Sequence, residues 1–226
     1  MENILLMRSI AEYKTIVFDC DGVVLNSNQL KIQAYYDVAI KFGANEQQAQ
    51  ALVAHHVALG GISRYPKFEY FLGQIMKREV TESTIQQLLA SFSVEVRRLL
   101  ADCEVASSLD SLRQAAHGIR WMIVSGNDQA ELRDILAQRG LMRLFDAGVF
   151  GSPDNKDQIL AREIAAGNLE LPALFVGDSR YDYQAAMVAG LDFVFLSDWT
   201  DVEDWSKFCD SHGIEVLGRI GDLISH

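Results

Sequence analysis

Apolar positions along the chain fall into two kinds of run. Short, nearly continuous runs at 15–18, 120–124, 147–150, 174–176 and 193–196 have the length and β-branched or aromatic content of buried strands. Longer runs repeat at helical spacing, and between 24 and 120 every run is of this second kind. One covers 29–42, with Leu30, Ala34, Val38 and Phe42 on one face. Runs at 46–59 and 64–76 follow, then 81–100, where Ile85, Leu88, Leu89, Phe92, Val96, Leu99 and Leu100 recur. Gly43, Gly60-Gly61 and Thr81 supply stop and start signals. From 109 onward helix and strand alternate, with helices at 128–139, 156–166, 181–189 and 202–212. The pattern predicts an α/β fold: a doubly wound parallel sheet, Rossmann-like, over 1–24 and 106–226, interrupted by an all-helical insertion over 25–105.

Chemistry-bearing residues gather at the ends of the predicted strands. The first runs into Asp19-Cys20-Asp21-Gly22, two carboxylates two residues apart at a buried strand tip. Like charges so placed raise one another's pKa or require a cation, although Asp-Gly pairs are also ordinary turn residues. The strand at 174–176 ends in Gly177-Asp178-Ser179-Arg180-Tyr181-Asp182. Adjacent parallel strands deliver such loops to one edge, where ligands bind, so the two acidic clusters together suggest a metal site with oxygen ligands. Asp178 as a helix N-cap and Asp182 as a solvated first-turn acid are the plainer alternatives. The strand at 120–124 leads into Ser125-Gly126-Asn127, a hydroxyl and backbone amides before a helix, suited to an anion or simply to a turn. Lys156 opens the next helix, where the macrodipole disfavours a cation; a solvated surface lysine is the bland account.

These four segments resemble the signatures of the haloacid dehalogenase superfamily, in the same order: Asp19-Cys20-Asp21-Gly22-Val23-Val24, Val124-Ser125-Gly126-Asn127, Lys156, and Gly177 to Asp182. Two positions depart from the common pattern, Asn26 where an Asp is usual and Asp157 where many relatives have Pro. The resemblance implies a magnesium-dependent phosphatase acting on a small phosphate ester, a sugar phosphate or phospho-acid, through an aspartyl phosphate. Asp19 would be the nucleophile and Asp21 the general acid and base. Asp19, Asp21 (through its backbone carbonyl) and Asp178 would hold Mg2+, with Asp182 supporting the metal from behind. Ser125, Gly126, Asn127 and Lys156 would hold the phosphoryl oxygens. The insertion resembles a helical cap, with hinges near 24–27 and 103–108. Gly60-Gly61-Ile62-Ser63-Arg64 looks like a stretch in the caps of the β-phosphoglucomutase and phosphoglycolate phosphatase branch, where Arg64 would meet a distal anionic group; Ser63 as a helix N-cap is the structural alternative. A phosphomutase of the same chemistry and a non-catalytic binding protein of the same fold remain as other readings. A true dehalogenase is disfavoured by the presence of Asp21.

Composition narrows the partners. A net charge of −11 over 226 residues argues against nucleic acid and anionic membranes, which call for a basic surface. Cys20, Cys103 and Cys209 are scattered and odd in number, which suggests free thiols and a reducing compartment, with no disulfide frame and no zinc site. Period-2 alternation turns Cys20 away from the acids that flank it. His55 and His56, adjacent on a helix, point about 100 degrees apart and are read as ordinary cap residues. The run Ile4-Leu5-Leu6-Met7 is too short for a signal peptide and no stretch is long enough to span a membrane, so the expected location is the cytoplasm. The oligomeric state is not legible.

Overall fold

The computed structural model describes residues 8–225. The Ile4-Leu5-Leu6-Met7 run lies outside these; of the first dozen residues, Ile10–Glu12 forms a single 3-10 turn. Among the described residues six parallel strands make one sheet: β1 (Thr15–Phe18), β2 (Arg120–Asp128), β3 (Gly148–Ser152), β4 (Ala173–Gly177), β5 (Asp192–Leu196) and β6 (Glu215–Leu217), in the order β3-β2-β1-β4-β5-β6. The Rossmann-like architecture is therefore the one expected. Phe18 pairs with Ile123 on β2 and with Val176 on β4, so three chains leave the sheet at one level. Chain order reverses between β1 and β4, the kind of crevice in which ligands of open α/β sheets bind.

Side-chain alternation sends the strands into two cores. Ile16, Phe18, Trp121 and Ile123 face one, continuous with the buried residues of the insertion. Val17, Met122, Val124, Phe175 and Phe195 face the other. Helices α5 (Leu109–Ala115), α6 (Gln129–Gln138), α7 (Lys156–Ala165), α8 (Arg180–Ala189) and α9 (Trp205–His212) accompany the later strands.

Between β1 and β2 the chain is helical, with α1 (Asn28–Lys41), α2 (Glu46–Ala58), α3 (Arg64–Tyr70) and α4 (Glu82–Leu100). The last buries Ile85, Leu88, Leu89, Phe92, Val96 and Leu100, the stripe read from the sequence. Tyr35, Phe68 and Phe92 form its aromatic centre, with ring centroids 4.3 to 5.5 Å apart. The two linkers to the sheet run side by side: Leu25 and Val105 form an antiparallel bridge, and Ala106 N donates to Val24 O at 3.0 Å.

Three local expectations are corrected. Ser125-Gly126-Asn127 is not a loop after β2; the strand continues to Asp128, with a shift of register against β3 between Val124 and Asp128. The expected helix over 64–76 gives way at Phe71 to a π-helical turn, Phe71–Ile75. β6 is absent from the apolar pattern because it has only three residues, opening on Glu215.

Phe18 is wholly buried against Trp121, with ring centroids 4.8 Å apart, at the last position before the first acidic loop. Phe18→Ala is expected to lower unfolding free energy by about 3–5 kcal/mol, since the sheet around it cannot collapse into the void. Urea denaturation followed by circular dichroism measures this.

Candidate active site

Asp19 follows β1 directly and is buried. Its Oδ1 accepts from the Cys20 amide at 2.7 Å and lies 3.0 Å from Lys156 Nζ. Lys156 is the first residue of α7, after the N-cap Asn155, and is fully buried, which removes the surface-lysine alternative. Its ammonium also binds Asp182 Oδ1. The other oxygen of Asp182 accepts from Ser179 Oγ at 2.7 Å and Ser179 N at 3.1 Å. Ser179 is thus the N-cap of α8, and Asp182 closes its capping box. Asp178 is therefore not the helix cap, and Asp182 is not solvated. Asp178 is buried, and its Oδ2 accepts from Asn28 Nδ2 at 2.7 Å. Gly22 has φ +70, and a Cβ there would lie 2.0 Å from Asp178 Oδ2. Only glycine lets the first acidic loop rest on the second.

Asp21 is turned the other way. Its Oδ2 accepts from Lys31 Nζ at 2.5 Å and its Oδ1 from Ser27 Oγ at 2.5 Å. Lys31 also donates to Asn127 Oδ1. Cys20, between the two acids, is buried in the apolar core as read from the sequence.

Burial sets the electrostatics. It raises Asp19 to about 7, with Lys156 opposing and Asp182 and Asp21 adding to the rise. Asp178 is pushed well above the usual carboxylate range, by burial first and then by Asp182 and Asp19. For Lys156, burial works against the charge, but Asp182 and Asp19 outweigh it and hold the pKa above that of an ordinary lysine. Burial also opposes the Asp21 charge, yet Lys31 and the Ser27 and Asn127 hydrogen bonds hold its pKa low.

Carboxylate oxygens of Asp19, Asp178 and Asp182 all lie within 4.8 Å of one another. When all three carboxylates are ionised, the single ammonium of Lys156 leaves two negative charges uncompensated in a buried place, which fits a divalent cation that displaces the protons. An all-oxygen set suits a hard one such as Mg2+. Both Asp182 oxygens are already engaged, whereas among the described residues Asp19 keeps Oδ2 and Asp178 keeps Oδ1 without a hydrogen bond.

A cavity of about 50 Å³ joins these groups to the insertion. Asp19, Asp21, Asp178, Gly126, Asn127 and Arg64 line it; Ser125 and Lys156 are buried beside it, and Ser125 Oγ accepts from the Asn127 amide at 3.3 Å. The insertion closes the cavity through glycine contacts. A Cβ on Gly126 would come 2.5 Å from Gly61 O, and one on Gly61 2.7 Å from Ser179 Oγ.

The family model of haloacid dehalogenase-like hydrolases matches residues 13–190. The chain belongs to that family. No curated protein matches it. Among solved structures it resembles a predicted phosphoglycolate phosphatase from Haemophilus somnus, with 20% identity over 95% of this chain and 97% of the other and a TM-score of 0.72. A predicted phosphatase from Clostridium acetobutylicum gives 15% identity over 94% and 97% and a TM-score of 0.74. CbbY from Rhodobacter sphaeroides, in complex with phosphate, gives 18% identity over 93% and 96% and a TM-score of 0.69. At these identities the likeness is one of fold.

Against the family's four signatures, the haloacid dehalogenase-like site of this chain has additional parts. Arg64 does not offer the free charge expected of it. It is 4% exposed, Nη2 donates to Glu131 Oε1 at 2.7 Å and Nη1 to Glu131 Oε2 at 3.2 Å, and Ser93 Oγ accepts at 3.1 Å. Glu131 lies in the first turn of α6, so the pair ties the insertion to the sheet domain. Ser63 is the N-cap of the Arg64–Tyr70 helix. Lys31, His56 and Lys67 also line the cavity and were not singled out as site residues from the sequence. A signal was present: Lys31, Ala34, Tyr35 and Val38, and likewise Arg64, Lys67, Phe68 and Phe71, follow helical i, i+3, i+4, i+7 spacing, which places each lysine in an apolar stripe.

Two expected outcomes follow from this arrangement. Glu131→Ala strands a buried guanidinium and should cost about 3–5 kcal/mol of stability, measured by denaturant unfolding. The raised pKa values of Asp19 and Asp178 mean that the folded state prefers them protonated. Their contribution to stability is full below the unfolded carboxylate value and is lost as pH rises, for Asp19 through about 7. Magnesium competes with those protons, so it should raise the melting temperature more at pH 8 than at pH 5; calorimetry at both pH values, with and without the ion, checks this.

Proposed function

We propose that the protein is a magnesium-dependent phosphatase that hydrolyses a small phosphorylated metabolite through an aspartyl phosphate on Asp19. The observation that carries this reading is the buried Asp19 carboxylate, gripped by Lys156, beside Asp178 and open to a closed polar cavity. The phosphatase names of several structural neighbours point the same way. Asp19 attacks phosphorus in line, the bond from phosphorus to the leaving oxygen breaks, and Asp21 protonates that oxygen. Asp21 then takes a proton from the water that hydrolyses the acyl phosphate. Lys31 and Ser27 hold Asp21 ionised in the free protein, which suits the second half of the cycle. A bound phosphoryl group competes for Lys31 and shifts Asp21 toward the acid role.

Asp19, Asp178 and the Asp21 backbone carbonyl would hold Mg2+, which supplies neutralisation of the anionic substrate. Lys156 balances charge at Asp19, Gly126 and Asn127 present amides to the phosphoryl oxygens, and Ser125 fixes the end of β2 that carries them. Asp182 keeps Lys156 charged and aimed. Residues 25–105 act as a cap over the core formed by 1–24 and 106–226, hinged where the two linkers pair. A cavity of about 50 Å³ has room for a few waters, so substrate enters with the cap displaced. The net charge of −11 fits a cytoplasmic enzyme of small metabolites with no nucleic-acid or membrane partner; among the described residues no helix is long and apolar enough to cross a membrane.

Phosphate release from a panel of phosphate esters, with and without magnesium, tests this. Activity is expected only with the metal and should fall by at least roughly a thousandfold in Asp19→Asn. Undiminished hydrolysis by that variant would remove Asp19 from the role of nucleophile.

A further inference from the structure

The insertion wall of the cavity carries three cations, and two of them have carboxylate partners. Lys31 is paired with Asp21 and Arg64 with Glu131. Lys67, on the Arg64–Tyr70 helix, is 1% exposed and makes no ion pair among the described residues; its hydrogen-bond partner is His56 Nδ1, at 2.9 Å, and the Asp201 and Asp21 carboxylates, which line the same cavity, reach it only through space. With the lysine as donor, the ring proton sits on His56 Nε2, which is buried without any hydrogen-bond partner. Both residues line the cavity that holds Asp19 and Asp178. A lysine in such a place leaves donors unsatisfied, and natural cores rarely hold one without a reason.

We propose that Lys67 and His56 form a second anion subsite, which makes the substrate a short compound anionic at both ends: a phosphate ester whose other end bears a carboxylate or a second phosphate. The first anion rests on the phosphatase reading; the second rests on these two side chains alone. The geometry favours a short molecule, because both subsites open on one small cavity closed by the Gly61–Gly126 contact. A neutral sugar end would leave the lysine as ill-matched as it is in the free protein. Burial, with Lys31 adding to it and the more distant Asp201 and Asp21 carboxylates opposing it, lowers Lys67 to about 7, as befits a cation with no paired carboxylate until ligand arrives. His56 is pushed well below the usual imidazole value, by burial first and then by Lys67, so it presents a neutral ring whose N–H can still donate.

The test is isothermal calorimetry on the full chain with magnesium, using two sulfonates as stable probes: sulfoacetate, anionic at both ends, and ethanesulfonate, anionic at one. Wild type is expected to prefer sulfoacetate, and the preference should shrink roughly 10- to 100-fold in Lys67→Met, the weight of a buried charge-assisted hydrogen bond. Lys67→Gln, which keeps a donor but no charge, should give an intermediate loss. Melting temperature separates a binding role from a structural one: removing an uncompensated buried cation should leave it unchanged or raise it. Equal affinity of wild type for the two probes, an unaltered preference in Lys67→Met, or a large fall in melting temperature would each overturn the subsite. Sulfoacetate binding that depends on Lys67 in a protein releasing no phosphate from any ester would instead sink the phosphatase reading and leave the subsite standing. Extending the probes to a phosphonate-terminated sulfonate distinguishes a carboxylate pocket from one shaped for a second phosphate.

Discussion

Lys156 is the charge around which the site is assembled. Its ammonium, without solvent, lies between Asp19 at the end of β1 and Asp182 in the first turn of α8, and it arrives from the loop after β3. Three separate crossings of the sheet are tied together at one point. An isolated lysine could not stay ionised at such depth, and neither could either carboxylate; each is tolerable because the others are present. The tie is incomplete, since among the described residues Asp178 stands next to the cluster with a hydrogen bond from Asn28 and no cation of its own. That surplus of negative charge is what makes a divalent ion the natural completion of the group, and it sits at the point where strand order reverses.

Close backbone approach is the second constraint. Gly22 lies on Asp178, and Gly126 lies under Gly61, with no room for a side chain at either place. The first contact belongs to the sheet edge and fixes the spacing of the acidic loops. The second joins that edge to the insertion, where it is reinforced by the buried Arg64–Glu131 pair. Closure of the cavity therefore depends on one steric contact and one ion pair that lie on opposite sides of the same loop, Gly60 to Ser63.

What could be read from the sequence follows from where each residue sits. Asp19, Asp21 and Asp178 were legible because each stands just after an apolar strand, and Lys156 because it opens the helix that follows one; parallel strands share an edge, and the register of Phe18 with Ile123 and Val176 shows that edge directly. The helical insertion was legible from its periodicity. Lys31 and Lys67 were not, because a lysine in an amphipathic helix is normally a solvated residue snorkelling from an apolar stripe. Nor could the sequence show that Arg64 finds Glu131, 67 positions away, and so loses its free charge. Local patterns specify the elements and their ends, whereas charge pairing between them is a property of the assembled chain.

The two walls of the cavity have opposite needs. On the sheet side carboxylates outnumber cations, and on the insertion side Lys67 has no anion. Neither imbalance relieves the other: Asp21 and Asp201 act on Lys67 through space, but among the described residues no carboxylate reaches salt-bridge distance of it. A protein selected only for stability would exchange Lys67 for an apolar side chain, given its neighbours Tyr35 and Phe68 in the aromatic centre of the insertion. Its presence there is explained by a ligand that brings negative charge to the insertion wall, while a cation would bring positive charge to the sheet wall. On that view binding energy would be drawn from both mismatches at once, and the insertion would sit most firmly on the sheet when both are filled.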